Sequence, residues 1–383
     1  MTEIRYCGRC LSTFDGDPGA CPNLACGANK PGAGWGVVLA EGDLLDRRYR
    51  VERCLAVGGA GLTYLAREVD GADRPIGPRV AIKVLYTARA SGPFLRRLST
   101  EAQILQELAH ENIVELRGFV HRAGSEPYLV TRFEEGGSLA QHVERSGPQT
   151  PRVAAGVLRQ VLLGLDVAHQ RGVVHRDLKP DNVLLAEEVG PETVPRIRVA
   201  DFGIAKVAGG MDKLTRMGAF VGTPEYAAPE QFEGQTPTPA TDVFAAGALF
   251  AYLLLGHPPF AFSHRGDIET SYEELLNQLP FQLPPIAGAD APTHRVLQQV
   301  IDHTMVLDPA ARWTIHQVLG ALSPLVEVGR SGRNTLDVSV TPAPMRVLAS
   351  QPPVAVAVPG AVDPRTATLP PDQSDDGLAT DRL

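Results

Sequence analysis

The run His175-Arg176-Asp177-Leu178-Lys179-Pro180-Asp181-Asn182 sets a carboxylate, an ammonium and an amide within a few residues of one another. A carboxylate at Asp177 can take a proton from an attacking hydroxyl. Lys179 can neutralise a phosphoryl group in transfer. Asn182, and Asp201 in Val199-Ala200-Asp201-Phe202-Gly203, offer oxygen ligands of the kind hard Mg²⁺ prefers. Singly, each has a plain reading as a charged turn or a helix cap. Together, in this order, they point to one site.

Upstream, Leu55-Ala56-Val57-Gly58-Gly59-Ala60-Gly61-Leu62-Thr63 joins two apolar runs. Its three glycines let backbone amides approach a ligand with no side chain between, although a glycine-rich hairpin can also be a simple turn. In Val80-Ala81-Ile82-Lys83-Val84-Leu85, a period of two turns Val80, Ile82 and Val84 one way and Ala81 and Lys83 the other. An inward lysine is unfavourable without an anion beside it; the alternative is a lysine reaching out at a sheet edge. A helical pattern over 92–109 supplies an anion. Phe94, Leu98, Leu105 and Leu108 form its apolar stripe, and Glu101 falls on that stripe. The two inward charges explain each other, so a Lys83–Glu101 pair is expected. The plain alternative puts Glu101 at the stripe's edge, in water.

The elements that must position these groups follow from the pattern. Strand-like runs at 49–56, 62–68, 80–86, 113–121 and 128–133 precede helical ones at 151–170, 239–255 and 294–307. A strand-rich half followed by a helix-rich half predicts an α+β molecule of two unequal lobes, 49–133 and 134–322. Residues 1–30 are cysteine-rich and too short to build an apolar core. Residues 31–48 read as a linker. From 323 to 383 proline and alanine dominate, and a disordered tail is expected because proline blocks helix and strand ladders.

Composition narrows the classes. The 383 residues are 44% apolar and 21% charged, an ordinary globular mixture. A net charge of −8 argues against a general nucleic-acid binder. No run of 18 apolar residues suggests a membrane span, and the first ten residues lack the pattern of a secretion signal. A cytoplasmic protein without nucleic-acid or membrane partners is expected.

Taken in order, these motifs resemble the eukaryotic-type serine/threonine protein kinases, including their bacterial members, from about residue 49 to 322. The resemblance implies a bilobal kinase fold, ATP with Mg²⁺ or Mn²⁺ as cofactors, and protein substrates with Ser/Thr acceptors. In that reading Asp177 is the catalytic base and Lys179 assists it. Lys83 holds the α/β-phosphates and pairs with Glu101, while Asn182 and Asp201 hold the metal. The loop from Leu55 to Thr63 covers the phosphates, and Ala81, Thr131, Glu134 and Leu184 complete the nucleotide pocket. Thr131 stands where the family places its gatekeeper, and a small residue there leaves room behind the adenine.

Asp242 resembles the aspartate that steadies the catalytic loop, and Glu230 and Arg312 a late structural pair. Lys179 and Gly222-Thr223-Pro224-Glu225-Tyr226 resemble the serine/threonine branch. Arg176 beside the base suggests an activation-loop phosphate, with Thr215 the candidate and Thr223 shaping the substrate site. Ala56 replaces the first glycine of the family loop and Thr63 its usual valine. The rivals are a nucleotide-binding pseudokinase scaffold, a small-molecule kinase and a zinc adaptor. The survival of Lys83, Asp177, Asn182 and Asp201 weighs against the first, and the full peptide-binding segment through Glu230 against the second.

Of five cysteines, Cys7, Cys10, Cys21 and Cys26 lie near the start. Their spacing, with Gly8 and Gly27 allowing tight turns, resembles a small zinc ribbon and predicts a structural Zn²⁺ site. That segment, or the tail, is expected to recruit a partner. Cys54 reads as a small core residue.

Overall fold

The computed structural model describes residues 4–6, 13–23, 29–30, 36–58, 61–85, 92–121, 126–202, 223–263 and 267–327. All of these lie in the first of two units, Met1–Gly332; the second is Arg333–Leu383. Cys7, Cys10, Cys26, Gly59, Ala60, Gly203, Thr215 and the tail beyond 327 lie outside the described residues.

Alternating apolar residues build the smaller lobe. Strands β4 (Leu44–Leu45), β5 (Tyr49–Gly58), β6 (Gly61–Val69), β7 (Pro75–Leu85), β8 (Leu116–Val120) and β9 (Tyr128–Arg132) form one sheet in the order β4-β5-β6-β7-β9-β8. Every neighbouring pair is antiparallel. One face packs Tyr49, Ala66, Val80, Ile82, Tyr128 and Val130 together. The opposite face carries Leu85 and Leu129 against Leu98, Ala102 and Leu105 of helix α1 (Gly92–Gln106). The register sets Thr63 and Leu129 on either side of Lys83, on that second face. The sheet thus delivers the lysine to the side where the large lobe begins.

The stretch expected to be a linker is partly strand. β1 (Ile4–Tyr6), β2 (Thr13–Asp15) and β3 (Gly36–Val37) form a small sheet in the order β2-β1-β3. Tyr6 is buried with Val51, Leu62 and Tyr64, and Val38, Leu39 and Cys54 pack against them. The Leu39 N–H donates to the Tyr64 hydroxyl at 3.2 Å. The apolar run Gly36-Val37-Val38-Leu39 is too short to show a period, yet burial against the lobe makes it structure. Cys54 is half-buried there, and burial pushes its thiol pKa up.

The larger lobe assembles around helix α3 (Pro151–Gln170) and helix α5 (Pro239–Leu255), with α2 (Leu139–Ser146), the short α4 (Pro229–Phe232), α6 (Ile268–Asn277), α7 (Ala291–Thr304) and α8 (Ile315–Glu327) around them. Helix α5 is apolar on all sides, as a central helix must be. Ser138 caps α2 with a capping box through Gln141. Asp290 caps α7, which therefore starts three residues before the expected His294. The tail expected from 323 begins inside α8. There burial of Leu322 and Leu325 holds the helix through Pro324, since packing outweighs local propensity. Among the described residues no helix is long and apolar enough to cross a membrane.

Candidate active site

Two short strands place the metal-binding candidates. β10 (Val183–Leu185) and β11 (Ile197–Val199) pair antiparallel, with Val183 opposite Val199. Asn182 immediately precedes β10 and Asp201 follows β11 by two residues, so the pairing itself sets them side by side. The Ala200 N–H donates to the Asn182 carbonyl at 2.8 Å. β11 is anchored to the segment after α1. The Val199 N–H donates to Asn112 O, and the Val114 N–H donates to Val199 O.

Asp242, buried in the first turn of α5, holds the start of the loop that carries Asp177. Its Oδ2 accepts from the His175 N–H at 2.7 Å and its Oδ1 from the Arg176 N–H at 2.9 Å. His169 Nε2 lies 2.7 Å from the same Oδ2. Arg176 needs this hold, because its φ of 66° is left-handed, a conformation unfavourable for a side chain of its size. The Arg176 carbonyl also accepts from Gln231 Nε2 at 3.0 Å.

His175 is fully buried. Its Nδ1 accepts from the Asp177 N–H at 3.2 Å, so Nε2 carries the proton and donates to the Ala200 carbonyl at 2.9 Å. Burial holds its pKa below the ordinary histidine value, against the pull of Asp242. The ring rests on Phe202 with centroids 4.8 Å apart. The imidazole thus ties the Asp177 backbone to Ala200, the residue between β11 and Asp201.

Around Asp177 the expected groups come together. Asn182 Nδ2 donates to the Asp177 carbonyl at 2.8 Å and to its Oδ2 at 3.3 Å. Lys179 Nζ lies 3.4 Å from the same Oδ2 and donates to the Thr223 hydroxyl at 3.1 Å. Lys83 crosses from the small lobe, its Nζ bonding Asp201 Oδ2 at 2.8 Å. The lysine, two carboxylates and the amide therefore share one cleft between the lobes.

The expected Lys83–Glu101 pair is not made. Lys83 has taken Asp201, and Glu101 forms no ion pair among the described residues. Burial pushes the Glu101 carboxyl up to about 7, with Arg176 opposing. A carboxyl raised in the folded state adds stability while protonated, below its ordinary value near 4.3, and loses it as pH rises through about 7. Glu101→Gln, which removes the charge, is therefore expected to raise Tm at pH 8 and much less at pH 5. Calorimetry on the nucleotide-free chain checks this, and a lower Tm at pH 8 would contradict it.

The nucleotide side shows further differences. Leu62 is buried with Tyr6 on the outer face of the sheet, because period two turns it away from Thr63 and Lys83. Thr131 Oγ1 donates to the Ala81 carbonyl at 3.4 Å. The Glu134 side chain turns to Arg198, so only its backbone remains for the pocket. Leu184 is half-buried opposite Arg198.

Gly61 opens β6 at φ +156°, where an added Cβ would overlap the Val84 carbonyl oxygen and come within 2.9 Å of its carbon. Gly61→Ala must push the β5–β6 hairpin off β7. It is expected to raise the KM for ATP several-fold and to lower Tm by a few degrees, read by steady-state kinetics and thermal unfolding.

The sequence reading missed His169, Gln231, Thr241 and Arg198. His169, Gln231 and Arg198 act on partners 73, 55 and 64 positions away, which no local spacing announces, and Thr241 reaches Glu230 from the neighbouring helix. Glu230 and Arg312 do pair, at 2.7 Å.

Fold and cleft together define a two-lobed kinase class. The chain belongs to the protein kinase family: the model of the protein kinase domain matches residues 49–321. It is 38% identical over 317 residues to the serine/threonine-protein kinase Pkn1 of Myxococcus xanthus, covering 80% of this chain and 43% of that protein. It is 32% identical over 310 residues to the serine/threonine-protein kinase PknA of Mycobacterium tuberculosis, covering 80% of this chain and 66% of that protein. The chain thus spans less than half of the first relative's length and about two-thirds of the second's. Among solved structures it is similar to Rad53 1-466 in complex with AMP-PNP. The TM-score is 0.55 at 24% identity, over 73% of this chain and 66% of that one, a likeness of fold alone.

The cysteine segment adds one described ligand candidate, Cys21, which is buried. Among the described residues no group of three or more His, Cys, Asp or Glu side chains is placed to hold a metal ion.

Proposed function

We propose that this chain is a serine/threonine protein kinase that transfers the γ-phosphoryl group of ATP to Ser/Thr hydroxyls of proteins. The observation that carries this reading is the convergence of Lys83, Asp177, Lys179, Asn182 and Asp201 from both lobes on one cleft.

Asp177 Oδ2 accepts the proton of the acceptor hydroxyl as its oxygen bonds to the γ-phosphorus, and the bond to the β-phosphate oxygen breaks to leave ADP. Lys179, beside that carboxylate, offsets charge on the moving group. Its bond to Thr223 ties it to the segment on which a peptide would lie. Lys83 holds the phosphates once Asp201 is otherwise engaged.

Asn182 and Asp201 fit a hard divalent cation. The amide spends its Nδ2 on Asp177, leaving Oδ1 over, and the Asp201 side chain is 44% exposed to the cleft. Bound there, Mg²⁺ or Mn²⁺ would offset phosphate charge and orient the leaving oxygens.

In this reading Thr215 is the site of autophosphorylation, and the intact site disfavours a pseudokinase scaffold. The four N-terminal cysteines hold a structural Zn²⁺, and that segment or the tail recruits a partner. The protein works in the cytoplasm, without nucleic-acid or membrane partners. The test incubates the full chain with γ-labelled ATP, Mg²⁺ and a generic protein substrate. Label is expected on serine and threonine, and its absence with and without Mn²⁺ would remove the reading. Peptide mapping between 201 and 230 decides Thr215, and metal analysis of the full chain decides zinc.

A further inference from the structure

We propose that the Glu134 side chain is a positioning residue: through Arg198 it fixes the connection between the lobes, and with it the affinity for nucleotide. This role rests on the kinase reading above.

Glu134 lies two residues beyond β9, in a connecting segment, where a charged side chain ordinarily faces water. Here it is only 1% exposed. Its Oε2 accepts from Arg198 Nη1 at 2.5 Å, and Arg198 is the middle residue of β11 in the large lobe. Its Oε1 lies 3.4 Å from Arg132 Nε, at the end of β9 in the small lobe, without a hydrogen bond. One carboxylate therefore stands between strands of the two lobes. Burial raises its pKa, and the arginines oppose that rise.

The residues that follow are fastened in alternation. Glu135 Oε2 lies 3.5 Å from Arg79 Nη1, and Arg79 Nε lies 2.9 Å from Glu52 Oε2 on β5. The exposed Glu135–Arg79 pair faces the connection toward the small lobe but adds little hold. The Gly136 N–H donates to the Leu185 carbonyl at 3.1 Å. A Cβ on Gly136 would meet the Glu187 carbonyl oxygen at 2.6 Å, so the backbone is pressed onto the large lobe. Glu134 is the buried member of this series.

In the kinase reading the connection runs between Thr131 and Leu184 of the nucleotide pocket, so its direction should already be set when nucleotide arrives. A connection released from Arg198 has to be ordered during binding, and that ordering weakens affinity. The chemical step, made by groups in the catalytic loop, is not touched. Arg198 also lies opposite Leu184, so the same bond steadies the strand pair under the expected adenine site.

The experiment uses the full chain with Glu134→Gln, Arg198→Met and Arg198→Lys. ATP affinity is read by calorimetry, kinetics on a generic substrate give KM and kcat, and thermal unfolding gives Tm. Glu134→Gln and Arg198→Met are each expected to raise Kd and KM for ATP about tenfold, leaving kcat within about twofold and the KM for the protein substrate unchanged. Arg198→Lys keeps the charge and should recover part of the affinity. Should either single variant fail to fold, the double variant Glu134→Gln with Arg198→Met, which leaves no charge buried alone, carries the test with the same expected rise in Kd and KM. A lowered Tm in Arg198→Met with wild-type Kd and KM for ATP would overturn the role. A wild-type chain that neither binds nor turns over ATP would remove the kinase reading and this role with it.

Discussion

Asp177→Asn is expected to lower kcat by about 10²–10⁴-fold, the range for losing a positioned proton acceptor. Asparagine keeps the shape and the carbonyl that Asn182 uses. The loop should also persist, because Asp242 holds the backbone N–H groups of His175 and Arg176 independently of the Asp177 carboxylate. KM for ATP and Tm should therefore stay near wild type while turnover collapses. Steady-state rates with a generic serine/threonine substrate measure the first, and calorimetry the second. A kcat within threefold of wild type would reassign the proton acceptor, with Asp181 the carboxylate to examine next.

The largest expected loss of stability lies at Glu230 and Arg312. The guanidinium gives Nη1 to Glu230 Oε1 at 2.8 Å and Nη2 to Oε2 at 2.7 Å. Its remaining donors go to the carbonyls of Ala240, Leu307 and Val306, and its plane rests over Phe244 at 5.1 Å. The Thr241 hydroxyl adds a bond to Glu230 Oε1 at 2.7 Å. The arginine side chain is wholly buried and the glutamate nearly so. Removing one member strands the other, which costs about 3–5 kcal/mol. Glu230→Ala should thus lower Tm by on the order of 10 °C. Arg312→Lys, which keeps the charge but not the fork, should fall between.

The pair also predicts the acid limb. Burial alone would raise the Glu230 carboxyl, but the bonds from Arg312 more than offset it and hold the pKa below the usual range. A depressed carboxyl contributes its full stability above the ordinary glutamate value, about 4.3, and loses it as pH falls through the folded value. The stability gap between wild type and Arg312→Ala should therefore narrow as pH falls below about 4. Urea unfolding across pH 3–7 shows whether it does, and a constant gap would mean that Glu230 does not titrate with the fold.

The grouping of the candidate site residues was legible because their spacing is local. Asp177, Lys179 and Asn182 share one loop, and Asp201 sits at the end of a strand that must pair with the strand after Asn182. The turn of Lys83 toward the cleft followed from period two along β7. The partner of Lys83 was not legible. The stripe on α1 brings Glu101 to the correct face, but the choice between Glu101 and Asp201 is settled by how the lobes and α1 lie, which no periodicity encodes. β3 escaped notice because two residues cannot display alternation. Glu134 and Arg198 stand 64 positions apart, and neither has a neighbour that hints at the other. Pro324 argued for the end of structure, and the burial of its neighbours overruled it.

The Lys83–Asp201 bond joins residues 118 positions apart, each neutralising the other. Phosphate arriving alone would draw off the ammonium and strand an anion, while a divalent ion alone would claim the carboxylate and strand a cation. Arriving together, they exchange one counter-ion couple for another and leave no charge bare. In the proposed kinase reading this exchange would couple cation and nucleotide with positive cooperativity, and by linkage each would strengthen the other's binding by the same factor.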